Sequence, residues 1–124
     1  MRRSAIRKLL VFLIFVVLLL LLAVFISFRG RIKVVVNNDL EEDIYVIRIE
    51  EKDYQTVIPK NRSVGLTYKI TKAASINLEL KAGQETFDVE IVGYAERSYR
   101  GKTTVTVYNE NGMIRLKVES NVSP

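Results

Sequence analysis

The residue types that most often carry enzyme chemistry are scarce in this chain. It contains no His and no Cys, so it lacks the usual general base near neutral pH, a thiol nucleophile, thiolate metal ligands and disulfides. Acidic residues cluster at 41–43 and 50–53, in segments that read as turns. Carboxylates perform acid–base catalysis only where a pocket separates their pKa values. We therefore predict a non-enzymatic protein with no metal and no cofactor.

One later segment, GYAERSYRGK at 93–102, combines residue types that are common at binding surfaces. Tyrosine and arginine are enriched in binding hot spots because they offer a large contact area and forked hydrogen bonding. One interpretation is a partner-binding loop. The other is that one tyrosine caps the core while the arginines are solvated. The candidate partner-binding residues are Tyr94, Glu96, Arg97, Tyr99 and Arg100.

The element that must position these residues in the cell is the apolar run 9–28, LLVFLIFVVLLLLLAVFISF. It holds twenty residues without a charge, and a helix of that length spans roughly 30 Å, the hydrocarbon thickness of a bilayer. The run exceeds the apolar region of a signal peptide, and its end has no A-x-A-like site. We predict an uncleaved signal anchor, with 1–30 as basic tip plus span and 31–124 as the domain.

Charge near the ends of the span predicts the orientation and the membrane interface. Four Lys and Arg residues precede the span, against three shortly after it, so the N-terminus is expected in the cytoplasm. Absence of cysteine favours a bacterial envelope protein over a secreted animal domain. We predict a single-pass protein of the bacterial inner membrane with a periplasmic or extracellular domain. The predicted membrane-interface residues are Arg2, Arg3, Arg7, Lys8, Arg29, Arg31 and Lys33.

The net charge of +5 belongs mostly to the basic tip. From Arg29 onward, fifteen basic residues face fourteen acidic ones, and their signs alternate along the predicted strands. A near-neutral domain is not expected to bind nucleic acid.

Alternation of apolar and polar residues with a period of two runs through the rest of the chain and predicts short strands. It places Tyr45 and Ile47 on the inward face and Val35, Val46 and Val92 on outward faces. Glycine, proline and Asn-Gly punctuate the pattern, with 111–112 the strongest hairpin signal. The predicted strands are centred on 32–36, 45–49, 54–58, 64–70, 76–80, 87–91, 105–107 and 114–118.

Seven or eight such strands with regular turns predict an all-β domain, an antiparallel β-sandwich of immunoglobulin-like or transthyretin-like size. A small closed β-barrel is the alternative. The strand order, the Pro59 turn and the stretch G-Y-x-E-x-x-Y-x-G at 93–101 resemble small bacterial membrane-attached β-sandwich domains of uncharacterised function. The resemblance covers roughly 31–119 and implies no enzymatic residues.

These features favour a membrane-tethered protein-binding module, an accessory or scaffold subunit of an envelope complex. Its expected partners are the lipid bilayer and an envelope protein. Two alternatives stay open: an immunity or exclusion protein that blocks a toxin or phage component, and a carrier of lipid or another small ligand. The carrier would need an apolar seam, for which Val35, Val46 and Val92 are the candidates.

Overall fold

The computed structural model describes residues 2–28 and 30–124 and begins with one long helix, α1 (Arg2–Phe28). Its 27 residues make it about 40 Å long, and the predicted span 9–28 lies within it. The helix is long and apolar enough to cross a membrane, and its apolar side chains are exposed around the whole circumference. An all-round apolar surface suits a helix surrounded by lipid.

Eight β-strands follow the helix in the described residues, within the seven or eight that the alternation predicted. They are β1 (Arg31–Asn38), β2 (Ile44–Ile49), β3 (Lys52–Ile58), β4 (Ser63–Lys69), β5 (Ala74–Ala82), β6 (Glu85–Ala95), β7 (Arg100–Glu110) and β8 (Met113–Ser123).

The strands form two four-stranded sheets packed as a sandwich rather than one closed barrel. Sheet A has the order β4-β1-β7-β8 and sheet B the order β3-β2-β5-β6. Within the described residues, β1 and β7 pair in parallel and the other pairings are antiparallel. The prediction of a wholly antiparallel sandwich is wrong at that pair. A parallel pair needs a long crossover, and β2 to β6 supply it.

The core lies between the sheets and is built from β-branched residues and leucine. Val34, Val36 and Val105 of sheet A and Ile44 and Leu78 of sheet B are fully buried members of one core cluster. Such side chains favour strands because their branched Cβ packs well on a pleated surface. Both sheets therefore bury one face. Whether the sandwich is of immunoglobulin-like or transthyretin-like type stays a prediction.

β-Bulges shift the alternation in sheet B and overturn part of the predicted facing. In β2, Ile47 has no partner in the pairing with β5. Because of this shift, Val46 is buried and Tyr45 is exposed. In β6, the register with β5 skips Ile91, so Ile91 and Val92 are both buried. An extra residue in one strand reverses the side-chain phase beyond it. The outward placement of Val46 and Val92 is therefore wrong, and Val35 is half-buried.

The turn signals that depend on backbone conformation are confirmed. Asn111 and Gly112 both have positive φ and join Glu110 to Met113 in a two-residue hairpin, the conformation for which Asn-Gly is favoured. β3 ends at Ile58, before Pro59, which cannot donate to a ladder. The same strand is an edge of sheet B, paired only with β2 among the described strands.

Candidate functional site

The segment 93–102 forms a shorter loop than the sequence indicated. β6 continues to Ala95 and β7 begins at Arg100, so only 96–99 connect the strands. Tyr99 N–H donates to the Glu96 carbonyl at 2.9 Å and closes the turn. Tyr94 therefore belongs to the end of a strand, and a rigid sheet positions it rather than a long loop.

Three of the five candidate residues meet in one cluster. The Tyr94 hydroxyl donates to Glu96 Oε1 at 2.5 Å, and the rings of Tyr94 and Tyr99 meet edge to face with centroids 6.1 Å apart. We call Tyr94, Glu96 and Tyr99 the tyrosine cluster. Tyr94 is 51% exposed, whereas Tyr99 is half-buried against the core. Each of the two interpretations of this segment therefore applies to one tyrosine. Tyr99 caps the core, whereas Tyr94 faces solvent and is available to a partner.

Hydrogen bonding alters the acidity of Tyr94. Its bond to Glu96 raises the pKa of the phenol, and partial desolvation and the charges of Glu96 and Tyr99 act in the same direction. A neighbouring carboxylate disfavours the phenolate because like charges repel. The neutral phenol is therefore held as a donor to the carboxylate.

The two arginines of the segment point to different surroundings. Arg97 Nε donates to the Thr71 carbonyl at 2.7 Å and so joins the 96–99 loop to the residues after β4. Arg100 is exposed at the start of β7, opposite Ser123 of β8. Arg97 therefore has a structural contact, and Arg100 is an exposed residue of sheet A.

The same loop holds the residue that joins the domain to the helix. Gly30 N–H donates to the Tyr99 carbonyl at 3.0 Å, and Ile70 N–H donates to the Gly30 carbonyl at 2.7 Å. Gly30 is buried and has φ +74°, a left-handed conformation that glycine adopts without strain. Both hydrogen bonds join Gly30 to residues of the β-sandwich. The tyrosine cluster consequently lies at the end of the sandwich where the helix attaches.

The predicted membrane-interface residues fall into two described groups. Arg2, Arg3, Arg7 and Lys8 form the exposed first turns of α1, which extends through the basic tip, and Arg31 and Lys33 are exposed on β1. Arg29 lies outside the described residues.

Neither acidic cluster forms a metal site in the described part of the chain, where no three potential ligands come together. Asp43 Oδ1 accepts from Lys60 N–H at 3.1 Å, and Glu50 Oε1 accepts from Asn77 N–H at 2.6 Å. These carboxylates stabilise turns and strand ends.

Sequence reasoning missed a buried polar residue, Asn38. Its Nδ2 donates to the carbonyls of Glu42 and Ile58 at 2.8 and 2.9 Å, and its Oδ1 accepts from Leu40 N–H at 3.0 Å. The side chain is fully buried and fixes the loop between β1 and β2. The only sequence signal is an asparagine at an inward position of the alternation.

No protein-family model matches the chain, and no curated protein does. Among solved structures, the chain is similar to the C-terminal domain of AlgF from P. aeruginosa, with 15% identity and a TM-score of 0.49. That similarity covers 75% of this chain and all of the other.

Proposed function

We propose that this chain is a single-pass protein of the bacterial inner membrane whose β-sandwich binds another envelope protein, as an accessory or scaffold subunit. Its mechanism is tethering. A binding module fixed at the membrane meets partners in the same envelope at a raised effective concentration. The N-terminus is cytoplasmic and the sandwich is on the opposite side, in accordance with the excess of basic residues before the span.

The short connection between helix and sandwich supports a tethered module of limited reach. Gly30 is hydrogen-bonded on both sides within the domain, and α1 extends to Phe28. One residue therefore separates the two elements, and an extended residue covers about 3.5 Å. A partner must come to the membrane surface to contact the attached end of the sandwich.

The exposed ring of Tyr94 is the single observation that carries the binding proposal. Half of this tyrosine is exposed, yet its hydroxyl donates to Glu96 and its ring contacts the ring of Tyr99. A preordered aromatic ring loses little side-chain entropy when it is covered by a partner. Buried tyrosine anchors in interfaces contribute about 2 kcal/mol or more on truncation. The adjacent Glu96 carboxylate suits a partner that carries a basic side chain beside an apolar one.

A carrier function has no such support. It needs an apolar groove, and of the three valines expected to line one, Val46 and Val92 are buried in the core. An immunity or exclusion protein would use the same kind of surface as a scaffold subunit. The identity of the captured partner would therefore distinguish these two forms.

The test is site-specific photo-crosslinking of the full-length chain in its native cells, with the photoreactive residue at position 94. A matched control places it at Tyr45, which is 47% exposed against 51% for Tyr94 but lies on the outer face of sheet B. A Tyr94→Ser variant, crosslinked from the nearby position Ser98, tests whether the tyrosine itself is needed. Tyr99 and Arg97 are left intact because both have structural contacts.

The expected result from position 94 is an adduct with one specific protein that position 45 does not give. An adduct with the same protein is expected from position 98, and it should be lost in Tyr94→Ser. The same adducts from both positions would show that the cluster has no selectivity. Adducts with lipid alone would overturn the protein-binding proposal.

A further inference from the structure

The strand register gathers basic residues from three strands onto one face of sheet A. Arg31 of β1 lies opposite Lys69 of β4, and Lys33 of β1 lies beside Lys102 of β7. Arg100 is two residues before Lys102 on the same strand, and all five residues are exposed. We call Arg31, Lys33, Lys69, Arg100 and Lys102 the basic face.

Neighbouring like charges on a sheet are destabilising, and within the described residues the basic face has no ion pair that would offset the repulsion. The ion pairs among the described residues are Arg48–Glu79 on sheet B and Lys117–Glu119 within β8, and neither includes a residue of the basic face. Gly65 on β4 leaves room for the stem of Lys33, since an added Cβ would lie 3.0 Å from Lys33 Cε. The face therefore carries an excess of positive charge, although Glu119 lines the same groove as Lys102, and Glu50 and Glu51 line the same groove as Lys69.

The outer face of sheet B has the opposite character. Glu79 of β5 lies opposite Asp88 of β6, and Glu90 follows two residues later. Arg48 contacts Glu79 at 2.8 Å, so the acidic side is partly compensated. A near-neutral domain thus carries its charges as a dipole across the sandwich, positive on the outer side of sheet A.

We propose that the basic face binds the phosphate groups of anionic phospholipids in the bilayer that α1 crosses, so that the outer side of sheet A turns toward the membrane. This proposal rests on the membrane anchor of the proposed function. Charge complementarity and the one-residue connection both favour lipid as the occupant. Basic residues near an anionic membrane surface are attracted to it within about a Debye length.

Chain length limits how the face can reach the headgroups. Lys33 lies five residues beyond the helix end at Phe28, at most about 18 Å of extended chain. The headgroup layer is only roughly 5–8 Å thick on each side of the hydrocarbon. In an upright sandwich β1 rises about 7 Å from Arg31 to Lys33, so Lys33 and Lys102 would lie farther from the headgroups than Arg31. Contact by the whole face therefore requires the domain to tilt toward sheet A.

The experiment uses the full-length chain in lipid nanodiscs made of phosphatidylglycerol or of phosphatidylcholine. The chain has no cysteine, so Thr67→Cys and Thr86→Cys each provide one labelling site. Thr67 lies opposite Lys33 on sheet A, and Thr86 lies on β6 of sheet B opposite Lys81. A fluorophore at each site reports contact with the membrane through quenching by a headgroup-labelled lipid.

We expect strong quenching at position 67 in phosphatidylglycerol nanodiscs. This quenching should be lost in phosphatidylcholine nanodiscs and at high salt. Quenching at position 86 should be weak under all of these conditions. Lys33→Gln/Lys102→Gln should abolish the quenching at position 67. Lys60→Gln/Lys81→Gln removes the same charge from exposed residues elsewhere and should leave it intact. Because the first variant relieves repulsion, its thermal midpoint should be equal to or higher than that of the unaltered chain.

Three results would each overturn the proposal. They are equal quenching at positions 67 and 86, quenching at position 67 that does not depend on phosphatidylglycerol, and quenching at position 67 that survives in Lys33→Gln/Lys102→Gln. Saturable binding of soluble polyphosphate that phosphatidylglycerol does not compete with would assign the face to a soluble polyanion instead. Failure of the chain to co-elute with nanodiscs would refute the anchor itself, a result that is separate from every quenching outcome.

Discussion

The backbone carbonyl of Arg97 occupies the space that a Cβ atom on Gly30 would need. This contact brings the loop after β6 against the start of β1, although the two residues are far apart in sequence. Gly30 also exchanges hydrogen bonds with Tyr99 and Ile70. The junction between helix and sandwich is therefore closed on several sides, and only glycine fits there.

Replacing Gly30 by alanine should destabilise the domain by roughly 2–4 kcal/mol, because left-handed strain adds to the overlap with the Arg97 carbonyl. Two glycines separate these causes. Gly112 has φ +80° with open space around it, so Gly112→Ala should cost only about 1–2 kcal/mol. Gly93 has open space and no positive φ, and Gly93→Ala should change stability by about 0.5 kcal/mol at most.

Denaturant unfolding of the full chain in detergent, followed by the circular dichroism of the β-sheet, measures all three variants. A Gly30→Ala variant as stable as Gly93→Ala would mean that the junction is not held by this contact.

Asn38→Ala should destabilise the sandwich by about 3 kcal/mol. The change leaves the Leu40 N–H and the carbonyls of Glu42 and Ile58 without their side-chain partner in a buried site, and each unsatisfied group costs about 1–3 kcal/mol. Its neighbour Asn37 supplies the control. It bonds to Ser63 and Thr106 from a half-buried position on the other side of the strand, so Asn37→Ala should cost less than about 1 kcal/mol.

The same unfolding measurement compares the two variants. Equal losses would show that the loop between β1 and β2 does not depend on Asn38.

Tyr94 should ionise at a higher pH than an ordinary tyrosine. Its pKa is raised, first by the hydrogen bond to Glu96, so the folded state favours the neutral phenol. The corresponding stability is present below the ordinary pKa of about 10 and is lost as pH rises through the folded value. Glu96→Gln removes the negative charge and should move the ionisation to lower pH.

A spectrophotometric titration of tyrosinate, taken as the difference between the full chain and Tyr94→Phe, isolates this residue. An ionisation that does not respond to Glu96→Gln would refute the role of that carboxylate.

The proposed orientation predicts which single cysteines a membrane-impermeant maleimide can reach. Ser123→Cys lies at the exposed end of β8, and Ser4→Cys lies in the exposed first turn of α1. In intact spheroplasts, Ser123→Cys should react and Ser4→Cys should react only after permeabilisation. The reverse pattern would place the sandwich in the cytoplasm, and reaction of both sites in intact spheroplasts would argue against a spanning helix.

The sequence predicted the elements better than their partners. An unbroken apolar run and a period of two depend on neighbouring residues, so the apolar helix and seven or eight strands could be expected. The bulges at Ile47 and Ile91 could not, because an extra residue is defined by the opposite strand, and they turned Val46 and Val92 inward.

The candidate site was predictable in composition and not in geometry. Tyr94 and Tyr99 stood out by residue type, but only the fold shows that one ring is exposed and the other caps the core. The basic face is a property of register alone, since Lys33 and Lys102 are far apart in the chain.

The central place of β1 has a consequence for the order of events during synthesis. β1 is the first strand of the domain to leave the ribosome, yet its neighbours in sheet A are β4 and the much later β7. Pairings between distant segments form slowly because the intervening chain must first be ordered. Sheet A cannot close until 100–107 are available, whereas the four strands of sheet B all precede that segment. A lag in protease resistance that ends only when β7 emerges would be the kinetic signature of this topology.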